Sequence, residues 1–442
     1  MKTMWTTAKQ LARQTPVERD RYIDFLRLFA IVVVVLGHWL MAVIVVRDGE
    51  VEVDHLLALA PGAQYLTWIL QVMPVFFIVG GFANAMSWSS SQRVGRKYSE
   101  WLQSRTTRLL RPTTVFAAVW AGATVLLMTM GVDPATLRMA TQAVAVPLWF
   151  LAVYLGIVAL APLMVRLDRR YGWSVPLSLA SAALVVDYLH HGIGVPVVGW
   201  SNFLFVWLAV HQIGILWQRG ALPRRISGNL AVAAAGLVGL YLLTVIGPYP
   251  TSMVGVPGSA WTNNLPPTVA LIVLAVVQTG MMLVLRRPVT AWLQRPSMWT
   301  WVIAGNGRIM TIYLWHMTAM ITVAGLGLLA GGSGLAINPL TGTWWWSRLI
   351  WIAVLLIPLA GLTSLFGSFE ANRVAHPARN SAVVVGVVVV IWGFARLALG
   401  GFVATDSATV GLFAPLAVLL GARLLGITAP GRAHRGFGGT PG

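Results

Sequence analysis

The feature that most constrains this fold is a recurring run of about 20 residues that passes almost without a charge. A helix of that length spans the hydrocarbon core of a bilayer, where only helices and closed barrels satisfy their own backbone. Twelve such segments are legible, near 25–46, 64–88, 112–131, 146–166, 173–189, 201–218, 228–247, 265–286, 306–330, 345–366, 381–400 and 408–426. The composition agrees: 57% of the residues are hydrophobic and 10% charged, against roughly 25% charged in soluble domains. No polar interval is much longer than about 20 residues, which leaves no room for an appended soluble domain. The expected fold class is an all-α polytopic membrane protein of about twelve transmembrane helices.

The formal net charge of +18 would suit nucleic acid if it were gathered on one surface, but the basic residues fall in alternate loops. The N-terminal stretch carries Lys2, Lys9, Arg13, Arg19 and Arg21, whereas the first loop sets Asp48, Glu50, Glu52 and Asp54 against Arg47. The second loop reverses to Arg93, Arg96, Lys97, Arg105, Arg108 and Arg111 against Glu100, and the alternation persists to Arg423. By the positive-inside rule both termini are expected in the cytoplasm and the chain in the cell inner (plasma) membrane. The bilayer is therefore an expected partner and nucleic acid is not. The run after Phe25 is too long for a signal-peptide core and lacks a small-residue cleavage site, so it is expected to be retained. Cysteine is absent, which removes disulfides, thiol catalysis and cysteine-held metals, and no metal site is expected. No internal repeat of the kind that builds many transporters is detectable.

Within the first apolar segment, RYIDFLRLFAIVVVVLGHWL, Asp24, Arg27 and His38 are ionisable, and such groups are expensive at membrane depth. Arg27 and His38 are eleven positions apart, a net rotation of about 20° and a rise of roughly 16 Å, so they share one helix face. Asp24 lies one turn from Arg27 on nearly the same stripe. A polar seam of this kind suits the wall of a site inside a bundle; the plainer reading is an interfacial charge pair with a packing histidine.

Further candidates lie along the chain. Arg105, Arg108 and Arg111 recur every three residues, on one side of a helix, where guanidinium forks can grip phosphate oxygens or simply anchor lipid head groups. His316, in Tyr313-Leu-Trp-His316, and His211 sit inside apolar segments, and together with His38 and Arg27 they suggest a shared polar interior. Asp187, His190 and His191 end the fifth segment, placed for ordinary solvation or for orienting a hydroxyl. Gly80-Gly81 in the second segment permits close backbone approach, and no phosphate-loop or dinucleotide fingerprint is present.

Taken together these stretches resemble the acyltransferase 3 family of bacterial membrane O-acyltransferases. Tyr22-Ile-Asp24-Phe-Leu-Arg27, then ten residues and His38, reproduces the family's arginine–histidine signature. Arg105-Thr-Thr-Arg108 resembles its paired arginines, and Phe76-Phe77 through Gly81-Phe82 its second-helix pattern, with Gly80 where serine is usual. Leu148-Trp149-Phe150-Leu151, Tyr313-Leu-Trp-His316 and Ser368-Phe369-Glu370 follow in the family's order, and Ala371-Asn372-Arg373 replaces its usual proline. The resemblance runs from residue 20 to about 372.

That resemblance implies transfer of an acyl group, often acetyl, from cytoplasmic acyl-CoA to a hydroxyl on a carbohydrate or lipid-linked acceptor. His38 would act as general base or carry the acyl group as an acyl-imidazole. Arg27, with Asp24 beside it, would face the donor, and Arg105, Arg108 and Arg111 would hold its phosphates. Trp149, Tyr313, His316, His211, Glu370, Asp187 and His190 are the remaining substrate-binding or structural candidates. The expected organisation is a cytoplasmic tail over 1–22, a ten-helix acyltransferase-like membrane domain over 23–372, two added helices over 373–426 and a disordered cytoplasmic tail over 427–442. The competing reading is a transporter or flippase without group transfer; acidic residues at mid-membrane, which would favour it, are lacking.

Overall fold

The structure, a computed structural model, describes residues 2–16, 19–47, 50–332, 337–370, 378–404 and 411–427. In chain order the elements are α1 (Lys2–Arg13), α2 (Arg21–Met41), β1 (Ala42–Arg47), β2 (Glu50–His55), α3 (Met73–Arg93), α4 (Tyr98–Thr129), α5 (Pro134–Ala145) and α6 (Leu148–Tyr171). There follow α7 (Ser174–Asp187), α8 (Asn202–Arg219), α9 (Ile226–Tyr241), α10 (Val269–Trp292), α11 (Pro296–Asn306), α12 (Ile309–Leu329), α13 (Gly342–Phe366), α14 (Asn380–Gly400) and α15 (Phe413–Leu424). Short helical turns link β2 to α3. The expected all-α polytopic class holds: every apolar segment is largely helical, and among the described residues ten helical stretches are long and apolar enough to cross a membrane. The other two, α7 with 14 residues and α15 with 12, are shorter.

Several expected boundaries move, each for a local reason. The N-terminal stretch is not a bare tail but the helix α1, which buries Ala8 against Leu293 and Trp299 and packs Trp5 on Trp301. The first apolar segment leaves the helix at Met41 rather than Val46, because the β-branched run from Val43 favours a pleated strand. It pairs with the next six residues, Ala42 opposite His55, and buries Val43 and Val45 on Leu56 and Trp344. The helix of the third segment, α4, begins at Tyr98, so Arg105, Arg108 and Arg111 are helical residues rather than loop residues. The ninth segment's helix starts at Ile309, because the preceding helix α11 ends at Asn306, whose amide donates back to the Val302 carbonyl and across to that of Asp24. The tail from 428 lies outside the described residues, as do Ala371, Asn372 and Arg373.

The core is a bundle in which α3 and α8 lie side by side, flanked by α2, α6 and α10. Their approach is set by two glycines: a Cβ at Gly81 would land on the His211 carbonyl oxygen, and one at Gly214 on that of Ile78. The C-terminal helices α14 and α15 pack on each other and lie against α6 and α4. Asp20 starts α2 by accepting from the backbone N–H groups of Tyr22 and Ile23, at 3.0 and 3.3 Å.

Candidate active site

Two imidazoles meet where α2 and α12 run alongside each other. His38 Nδ1 lies 2.8 Å from His316 Nε2, with the rings within 6° of parallel. His316 Nδ1 lies 2.6 Å from the Tyr313 carbonyl oxygen. A carbonyl only accepts, so Nδ1 of His316 carries the proton and its Nε2 is a lone pair. That lone pair must be met by a donor, so His38 carries its proton on Nδ1 and leaves Nε2 basic. His316 is fully buried, while His38 is only half-buried, and its Nε2 has no hydrogen-bond partner among the described residues. The arrangement therefore presents one unprotonated nitrogen, in a fixed tautomer, to whatever enters.

The juxtaposition follows from helix register. A Cβ at Gly305 would meet the Leu28 side chain at 2.7 Å, and Asn306 donates to the Asp24 carbonyl at 3.0 Å, so the Gly305–Asn306 level matches that of Asp24 and Leu28. From there each chain runs on in the same direction, ten residues from Leu28 to His38 and eleven from Gly305 to His316. Trp39 locks the level by donating its indole N–H to the His316 carbonyl at 3.0 Å. Glu370 fixes the start of α12: its carboxylate accepts from the N–H groups of Met310 and Thr311 at 3.0 and 3.1 Å and from the Thr311 hydroxyl at 2.9 Å. An anion at a helix N-terminus satisfies orphan donors and the helix dipole together.

The arginines gather at the other end of the seam. Arg108 is exposed, yet it lies within electrostatic range of Arg27 and Asp24 on α2 and of Glu370 beyond α13. Arg105 interacts with both Arg27 and Arg108. The helix α2 packs on α3, α11 and α12 but not closely on α4, so these long side chains reach toward one another across the space between α2 and α4. Asp24 receives Arg19 at 2.6 Å and Arg27 at 3.4 Å, which holds Arg27 along the helix. Arg105 donates to Asn84 Oδ1 at 2.7 Å and lies within electrostatic range of Tyr154, whose ring sits where a Cβ on Gly80 would fall. Arg111 is half-buried one turn further along α4.

Other expected residues lie apart from the imidazole pair. His211 is buried, but its Nε2 faces Asn84 at 3.2 Å, so it belongs with Arg105 rather than with His38. The single interior shared by three histidines is thus corrected to two polar clusters: α3 and α8 meet so closely at Gly81 that His211 is trapped between them. Trp149 packs on Phe150, Phe203 and Trp207, and the Tyr313 hydroxyl donates to the Pro147 carbonyl at 2.8 Å. Asp187 ties α7 to its neighbours, accepting from Asn202, Tyr249 and the Val269 N–H at 2.7, 3.0 and 2.9 Å. His190 is half-buried with Nδ1 3.2 Å from the Val195 carbonyl. His191 stacks on Trp261 and is held below the usual histidine range by burial and then by His190. Among the described residues no group of three potential metal ligands forms. Asn84, Tyr154 and Asn306 escaped the reading of the sequence; a polar amide in an apolar run was the signal for Asn84.

A family model described as an acyltransferase domain, that of the acyltransferase 3 family, matches residues 20–369. No curated protein and no solved structure matches the chain. The match takes in both imidazoles and the arginine cluster, and the chain belongs to the acyltransferase 3 family: it is an acyltransferase built into a multi-pass helical membrane bundle.

Proposed function

We propose that the protein transfers an acyl group, acetyl being the simplest, from cytoplasmic acyl-CoA to a hydroxyl of a carbohydrate or lipid-linked acceptor. The reading includes an inner-membrane location with both termini cytoplasmic, as the loop charges suggest. The observation that carries it is the relay from the Tyr313 carbonyl through His316 to His38, which supports a basic His38 Nε2.

In this mechanism Nε2 takes the acceptor hydroxyl's proton as the oxygen attacks the thioester carbonyl carbon. A carbon–oxygen bond forms, the tetrahedral intermediate collapses with loss of the carbon–sulfur bond, and the thiolate leaves with the proton from Nε2. The imidazolium that forms in between keeps its Nδ1–H on His316, so the ring does not turn. Arg27, Arg105 and Arg108 bind the donor's phosphates, Asp24 orienting Arg27, roughly 16 Å along the seam from His38. An extended pantetheine arm suits such a span.

The test is transfer of label from radiolabelled acetyl-CoA to the glycan and lipid fractions of membranes. His38→Ala is expected to lose transfer by about 10²–10⁴-fold while keeping acyl-CoA binding; persistent transfer defeats the proposal. Label retained on the protein without acceptor would show an acyl-imidazole instead of a base. Arg105→Ala is expected to raise KM for acyl-CoA, whereas an unchanged KM would reduce the arginine to a lipid anchor.

A further inference from the structure

On the other side of α2, where α8 ends, α9 begins and α10 ends, a cavity of about 620 Å³ opens between the three helices. Its walls include Leu222 and Leu283, and its rim carries Arg224, Arg286 and Arg287. Arg286 is anchored, donating to Asp20 at 2.9 Å and lying over the Trp217 ring. Arg224 and Arg287 are exposed and form no ion pair among the described residues. Two further polar atoms of lining residues lack partners although the residues are only 4% and 5% exposed: Asn229 Oδ1, an acceptor, and Trp217 Nε1, a donor. Buried polar groups are ordinarily paired, so two orphans on residues that line one cavity ask for a ligand with complementary groups.

We propose that this cavity binds the head group of an anionic phospholipid. Guanidinium forks and the indole N–H suit phosphate oxygens, Asn229 Oδ1 suits a head-group hydroxyl, and the apolar walls between helix ends suit the first carbons of an acyl chain. The site is separate from the transfer site: Tyr22, buried with its hydroxyl on the Met282 carbonyl, packs its ring edge-on against Trp217, which lines this cavity. Arg27 lies about 140° around α2 from it. Arg286 joins the head group to Asp20, the cap of the helix that carries Arg27 and His38.

Native mass spectrometry of the full-length protein in detergent tests the assignment, with phosphatidylglycerol and phosphatidylcholine of matched chains as probes. Phosphatidylglycerol is expected to be retained preferentially, and its affinity to fall roughly tenfold or more in the Arg224→Gln/Arg287→Gln double variant. The Arg93→Gln/Arg96→Gln pair, an equal charge change in another basic loop, is expected to leave it unchanged. Equal retention of both lipids, or equal losses in the two double variants, overturns the proposal. So does one-for-one displacement of the lipid by 3′-phosphoadenosine 5′-diphosphate, which would give the cavity to a soluble phosphate.

Discussion

At the scale of single residues, the relay makes predictions that a simple list of polar positions would not. In the proposed mechanism His316 acts through His38, so His316→Leu is expected to lower kcat by about 10²–10⁴ while KM for acyl-CoA stays constant. His316→Gln retains an oxygen acceptor for the His38 Nδ1–H and is expected to recover most of the rate; equal losses in the two would reduce His316 to packing. Tyr313 makes the opposite prediction, because the relay uses its carbonyl and not its hydroxyl. Tyr313→Phe should leave steady-state rates intact and reduce stability by about 1–3 kcal/mol, the cost of stranding the Pro147 carbonyl, read from thermal unfolding in detergent. The sequence offered His38, His316 and Tyr313 as candidates, since an intramembrane imidazole is conspicuous against apolar neighbours. It could not pair His38 with His316 or separate off His211, because the pairing depends on which helices touch.

At the scale of elements, α12 is placed by a residue that precedes neither it nor its partner. Glu370 caps α12 from 60 residues downstream of Met310. Glu370→Gln is expected to lower stability by about 0.5–2 kcal/mol through the lost anion and acceptor. It should also reduce kcat, since the His316 level shifts with the helix start; unchanged unfolding would show that the cap is idle. The hairpin β1–β2 responds to pH. Burial holds His55 below its ordinary 6.5, with Asp54 acting the other way, so the folded hairpin binds fewer protons than the unfolded one. Its contribution to stability is therefore complete above pH 6.5 and is lost as pH falls from there through the lowered folded value. Amide exchange in residues 42–47 and 50–55, corrected for intrinsic rates, is expected to quicken on acidification in the wild type and not in His55→Gln. The hairpin was hidden in the sequence because Val43 to Val46 are as compatible with a membrane helix as with a strand. The β-branched run and the partner strand decided the matter.

At the scale of the whole molecule, topology is testable because the chain has no cysteine of its own. A cysteine in place of Glu52 is expected to react with an impermeant maleimide on intact cells, and one in place of Arg96 only after the membrane is opened. The reverse pattern would invert the proposed donor and acceptor sides. What the sequence determined by itself was the class of the protein and the location of its helices, because the energy of apolar side chains in lipid is local and accumulates residue by residue. It also determined that Arg27 and His38 share a face, because helix periodicity needs no partner. Only the tertiary structure decided that Gly305 packs on Leu28 and brings His316 level with His38, that Glu370 caps a distant helix, and that His211 lies with Asn84 and Arg105 instead. These are contacts between segments far apart in the chain, fixed by close packing and by the need to satisfy buried polar atoms, and no property of one segment alone contains them.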